Sequence, residues 1–164
     1  METLLGRSEA PGYLEGYGPV AASIAREVAE RGTWRCAVVD GVHGTLLGLG
    51  RATYTPDYRP GKPLVDFVRT RDATCTFPGC FRSAQRCDLD HRVRHPAGPT
   101  CECNLGALCR KHHRLKHEAG FVMAKSSDPE QPPGTLAWRT PAGLRYARPP
   151  TRLPVGGGSR VLRQ

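Results

Sequence analysis

The sequence predicts a mixed α+β domain of small elements stapled by a metal ion. Three observations point there. Glycine and proline are abundant, at 19 and 15 of 164 residues, while aromatic residues make up only 7%. Loops therefore dominate, and the core needs a staple. Two pairs of soft metal ligands stand in the middle of the chain, Cys75/Cys80 and Cys109/His112. Around them, short stretches that read as helix and as strand follow one another along the chain.

Residues 1–18 are polar and glycine-rich without a clear period and read as a loose N-terminal arm. Residues 19–62 read as a support region of a helix and a β-hairpin. Pro19 suits a first helical turn. Val20, Ile24 and Val28 then recur at four-residue intervals up to about Glu30, and Gly32 ends the helix. Trp34–Val39 reads as a strand that places Cys36 in the core. Asp40 to Gly44 forms a turn with a solvated His43, and Thr45–Leu49 is the returning strand. Tyr54–Pro63, with three prolines, is an irregular connector.

Residues 63–147 carry the metal-type motifs. Leu64–Arg71 reads as a helix with Leu64, Phe67 and Val68 on one face. Phe121–Lys125 reads as a strand, Asp128–Gly134 as a turn, and Leu136–Thr140 with Leu144–Tyr146 as a hairpin. Residues 148–164, with Pro-Pro, Gly-Gly-Gly and scattered arginines, read as a disordered basic tail.

The net charge of +9 is unevenly placed. Residues 1–68 hold seven basic and eight acidic residues, residues 69–118 ten and five, and residues 119–164 seven and two. The excess surrounds and follows the motifs, as a nucleic-acid partner requires. No stretch approaches the roughly 18–20 apolar residues of a membrane span. The first residues lack the basic and apolar regions of a signal peptide. A cytoplasmic protein without membrane contact is expected. Its seven cysteines then read as thiols and metal ligands rather than a disulfide framework.

Zinc takes four soft or borderline ligands in a tetrahedron. Cys75 and Cys80 flank a tight Phe-Pro-Gly loop, and Cys109 lies three and four residues before His112 and His113. Both histidines follow Cys109 onto one helical face, so periodicity does not choose between them. We assign His112 to zinc, which leaves His113 for a second metal. Cys101 and Cys103 point to opposite sides of an extended chain, and Cys87 reads as a buried thiol beside the site. Asp90-His91 alone means little, and Asn104 alone reads as an N-cap of a helix starting at Leu105.

Together, Asp90-His91, Asn104 and His113 resemble the HNH nuclease motif. The fuller string also resembles a large actinobacterial HNH endonuclease family. It runs from Arg71-Asp72 through Phe77-Pro-Gly-Cys80, Cys87-Asp-Leu-Asp-His91, Gly98-Pro-Thr100, Asn104-Leu and Leu108-Cys-Arg-Lys-His-His to Lys116. The likeness extends to Gly16-Tyr-Gly-Pro19 and to Trp138–Gly143 and covers most of residues 3–148. The resemblance implies a zinc-stapled ββα-metal core, treble-clef-like, with flanking β-hairpins and a short N-terminal helix. It implies endonucleolytic hydrolysis of DNA, with double-stranded DNA the expected partner.

In that reading His91 is the general base. Asp90 and His113 hold a catalytic Mg²⁺ or Mn²⁺. Cys75, Cys80, Cys109 and His112 hold structural Zn²⁺. Asn104 fixes the loop beside the base, a loop expected at Gly98–Cys103. Arg92, Arg94, Arg110, Lys111, Arg114 and Lys116 hold phosphates rather than read bases, so weak sequence specificity is expected. Members of that family usually carry a long N-terminal domain of unknown function, and the expectation here is that it is missing. A truncated copy, a start placed too far downstream, or an upstream-encoded partner domain are the expectations that follow. The rival readings are a non-catalytic zinc module that binds nucleic acid and an inactive truncated nuclease copy.

Overall fold

Helix α2, Lys62–Asp72, is the post around which the described residues pack. Pro63 occupies its first turn, and Leu64, Phe67 and Val68 form its buried stripe. They pack on Leu46 and Leu105 to make one of two apolar clusters. The computed structural model describes residues 2–14, 17–32, 37–49 and 54–153. The architecture is mixed α and β.

Strands β1, Gly12–Leu14, and β2, Gly18–Val20, form an antiparallel hairpin. This corrects the loose arm expected over residues 1–18. Helix α1 follows at Ala22–Arg31 and ends at Gly32. Pro19 lies in β2 and does not open the helix. A three-residue strand has too few side chains to show alternation, and a proline suits a strand edge as well as a first turn.

Strands β3, Ala37–Val39, and β4, Leu46–Leu49, make the hairpin expected of the support region. Asp40 closes its turn by accepting from the backbone N–H groups of Val42 and His43 and from the His43 ring. Those bonds hold the Asp40 carboxyl below its ordinary range. Trp34 and Cys36, expected in the first strand, lie outside the described residues.

The connector holds a short strand, β5, Tyr54–Thr55. It pairs with β7, Thr100–Cys101, some 45 residues on in sequence number. Strand β6, Asp88–His91, pairs antiparallel with β8, Leu105–Leu108, setting Asp90 opposite Gly106 and His91 opposite Leu105. Residues 105–108 are thus a fully buried strand, and Asn104 caps no helix. The helix α3 starts later, at Arg110–Glu118.

Strands β9, Val122–Lys125, β10, Leu136–Arg139, and β11, Arg145–Arg148, complete a three-stranded antiparallel sheet. Trp138 from β10 is 1% exposed and anchors the other apolar cluster, with Met123, Leu136, Leu108 and the cysteines 75, 87 and 109. Its indole N–H donates to the Thr76 carbonyl.

The start of the expected tail is part of the fold. Arg148 donates to the Thr74 hydroxyl, the Thr151 hydroxyl donates to the Asp72 carbonyl, and the Leu153 N–H bonds to Gly44. Residues 154–164 lie outside the described residues. Among the described residues no helix is long and apolar enough to cross a membrane.

Arg71 and Asp72 tie these parts together. Asp72 is buried, and its Oδ2 accepts the Ala107 N–H of β8 at 2.8 Å. Arg71 clamps that carboxylate and donates to the carbonyls of Glu102 and Leu105. An unpaired buried carboxylate would be costly, so the pair locks the end of α2 to the strand that leads into α3.

Candidate functional site

Two donor clusters form where the β6–β8 hairpin meets α3. In the first, Cys75, Cys80, Cys109 and His112 bring their ligand atoms within 4.8 Å of one another. The loop from Cys75 to Cys80 turns at Gly79, whose φ of +73° favours a residue without Cβ. Its ends are pinned by Cys75 N–H to Arg82 O and Cys80 N–H to Phe77 O. Cys109 sits at the N-terminus of α3, with His112 three residues into it.

His112 Nδ1 lies 3.5 Å from Cys75 Sγ and 3.4 Å from Cys109 Sγ, and Phe77 stacks on the imidazole at 4.0 Å. The choice left open between His112 and His113 falls on His112, because His113 turns to the other cluster. Burial pushes the Cys75 thiol up to about 12. Burial also raises Cys109, but the N–H groups of His112 and Lys111 and the thiols of Cys75 and Cys80 donate to it and bring it below its ordinary value. The helix N-terminus at Cys109 acts in the same direction. Burial lowers His112 and keeps its imidazole neutral. These four side chains could hold a metal ion.

Cys87 is a buried thiol against the same core, pushed up to about 11 by burial. Cys101 and Cys103, expected as thiols, are joined by a disulfide with their Cα atoms 5.2 Å apart. The chain is turned there, not extended: the Asn104 N–H bonds to the Cys101 carbonyl. The turn brings the two sulfurs to one side.

The second cluster is Asp90, His113 and His117. Asp90 Oδ1 lies 2.8 Å from His117 Nε2 and 3.2 Å from His113 Nε2. His113 Nδ1 is held by Asp88 Oδ2 at 2.9 Å, which orients the ring as a carboxylate orients many metal-ligating histidines. His117 had no role assigned from the sequence. Its signal was present, because His113 and His117 are four apart and share a helical face.

Successive strand residues face opposite sides, so Asp90 and His91 part company. Asp90 faces α3, while His91 turns to Tyr58 and Thr100. His91 is 7% exposed. Its ring stacks on Tyr58 at 5.3 Å, and its Nε2 lies 2.8 Å from Thr100 Oγ1. Burial lowers its pKa, and Lys116 and His95 add to that against the opposing Asp90 charge.

Asn104 is buried and staples the loop behind His91. Its Oδ1 accepts the Val93 N–H, and its Nδ2 donates to the carbonyls of Val93 and Pro99. The loop approaches so closely that a Cβ on Gly98 would sit 2.6 Å from Asn104 Nδ2 and from the Val93 carbonyl oxygen.

Two expected phosphate contacts are engaged inside the protein. Lys116 points inward, its Nζ 2.6 Å from Asp90 Oδ2 and 2.7 Å from the His91 carbonyl. A buried carboxylate needs a counter-charge, and Lys116 supplies it. Arg92 donates to the Cys103 carbonyl. Arg114 pairs with Glu118 at the surface. Arg94, Arg110 and Lys111 are exposed, with Arg110 3.4 Å from Asp88.

No family model matches the chain, and no solved structure matches it. It is similar to two proteins of Mycobacterium tuberculosis strain H37Rv, both described as uncharacterized. With Rv3776 it is 45% identical over 95 residues, 58% of this chain and 18% of that protein. With Rv2100 it is 45% identical over 107 residues, 65% of this chain and 18% of that protein. The chain thus spans less than a fifth of the length of these curated relatives.

Proposed function

We propose that this chain forms an HNH-type endonuclease core of the ββα-metal, treble-clef-like kind, which hydrolyses DNA phosphodiester bonds. One observation carries the reading. The β6–β8 hairpin and α3 hold an Asp90–His113–His117 donor set, and the next residue of β6 is a histidine whose pKa burial lowers.

The donor chemistry fits the metals this reading needs. Three cysteines and a neutral imidazole suit Zn²⁺ in a closed structural site. One carboxylate with two imidazoles suits Mn²⁺, Ni²⁺ or Zn²⁺ better than Mg²⁺. A divalent ion held there supplies Lewis-acid polarisation of the scissile phosphate and charge neutralisation at the leaving oxygen. His91 takes the proton from the attacking water. Asn104 keeps the loop beside it in place. Lys116 holds Asp90 Oδ2, so that Oδ1 faces the two histidines. Arg94, Arg110, Lys111 and Arg114 hold the DNA backbone.

A plasmid-nicking assay tests this directly. Nicking is expected with Mn²⁺ and more weakly with Mg²⁺, none with EDTA, and none for Asp90→Asn. DNA retention without cleavage under every metal would favour a binding module instead.

Two further outcomes are expected of an active protein. A lowered His91 pKa keeps the base neutral to lower pH, since protonation removes the base only as pH falls through that value. The acid limb of the pH–rate profile should therefore lie below the ordinary histidine pKa of about 6.5. An acid limb above that value would count against His91. Removing Arg110 and Lys111 together by alanine should flatten the log–log salt dependence of DNA binding by about 0.9 for each lost phosphate contact. An unchanged slope would show that this end of α3 does not meet DNA.

A further inference from the structure

Thr100 is 1% exposed, and its hydroxyl stands between two partners. Oγ1 lies 2.8 Å from His91 Nε2 and 3.4 Å from the backbone carbonyl of Tyr58. A hydroxyl has one proton to give and lone pairs to receive. The Tyr58 carbonyl can only accept. The one proton assignment that makes both bonds has Thr100 donating to Tyr58 and accepting from His91, so the imidazole carries its proton on Nε2. The nitrogen left with a lone pair is Nδ1.

We infer that Thr100 is a positioning residue that sets the tautomer of His91 and so dedicates Nδ1 to proton abstraction. The inference rests on the endonuclease reading for its catalytic consequence, but not for the tautomer itself. The surroundings hold the arrangement from several sides. Thr100 is paired with Thr55 in the β5–β7 ladder. The Asn104 amide holds the preceding carbonyl, Pro99 O. The Cys101–Cys103 disulfide closes the turn that follows. The Tyr58 ring lies nearly parallel to the imidazole, at 19°, and the same residue's carbonyl receives the Thr100 proton. One short segment thus fixes both the plane of His91 and the direction of its hydrogen bond. A tautomer set through a second hydrogen-bonded group is a familiar control on a catalytic histidine.

The test uses the zinc-replete full chain with labelled histidine and no other divalent ion. NMR reads the tautomer of His91, assigned by the signal lost in His91→Gln. The wild type is expected to show the Nε2–H form when neutral. Thr100→Val, which keeps the shape and removes the hydroxyl, should lose that preference, and Thr100→Ser should restore it. In cleavage assays Thr100→Val should lower kcat by about 10- to 100-fold, less than removal of the imidazole, with KM for DNA unchanged. Thr100→Ser should recover most of the rate.

A wild-type His91 protonated on Nδ1 would overturn the inference, and so would a Thr100→Val protein that keeps both tautomer and kcat. If Thr100→Val fails to fold, the wild-type tautomer and the serine variant still decide. If the tautomers behave as expected but no form cuts DNA, the endonuclease reading fails and the role of Thr100 in holding His91 stands.

Discussion

Replacing Cys109 or Cys75 with serine is expected to leave the chain unfolded or insoluble, and stripping the metal should do the same. A structural zinc site contributes on the order of 10 kcal/mol, against a total stability of about 5–15 kcal/mol for a domain. The fold offers little to replace it. Cys75 and Cys109 are part of the Trp138 cluster, and within the loop from Cys75 to Cys80 the further ties are the bonds of Thr76 to Ala107 and Trp138 and the stacking of Phe77 on His112. If these side chains hold an ion, removing one ligand also leaves the other thiols without it. Circular dichroism with metal analysis would show this. A cooperative thermal melt unchanged after complete metal removal would rule out the zinc staple.

The second large effect is on chemistry alone. His91→Ala is expected to retain zinc and the native circular dichroism spectrum while cleavage falls by about 10²–10⁴-fold, the usual cost of losing a general base. The separation follows from where the side chain lies. His91 is near the end of β6, its partners are Thr100 and the Tyr58 ring, and it belongs to neither apolar cluster. Its loss should open a small gap without touching the thiols. Nicking at the wild-type rate would remove His91 from the mechanism.

Several elements were legible from the sequence because their signals are local. Helix α2 shows its apolar stripe within two turns, and the hairpin of β10 and β11 brackets an obvious turn. Cys75, Cys80 and Cys109 were legible as a set because ligand spacing is itself geometric, whereas spacing alone did not choose His112 over His113. What stayed hidden depends on distant partners. The β5–β7 pair is two residues long and joins segments some 45 residues apart, so neither half carries a pattern. Leu105–Leu108 is a short apolar run, a pattern that helix and strand share. Lys116 looked like one basic residue among many on α3. Only the fold reveals that its charge answers Asp90, and only the turn at Asn104 reveals that Cys101 and Cys103 meet.

Helix α3 has no buried residue along its nine positions. A helix so short and so polar is marginal alone. What anchors it are its reaches toward each donor cluster: His112 toward the thiols, and His113, Lys116 and His117 toward β6. Ordering that one helix is thus a cost common to both clusters. In the thermodynamics of linked equilibria, an ion that settles the first turn makes the later turns easier to occupy, and the reverse holds by the same factor. If both clusters take ions, the two sites would be coupled simply by sharing so slight a scaffold.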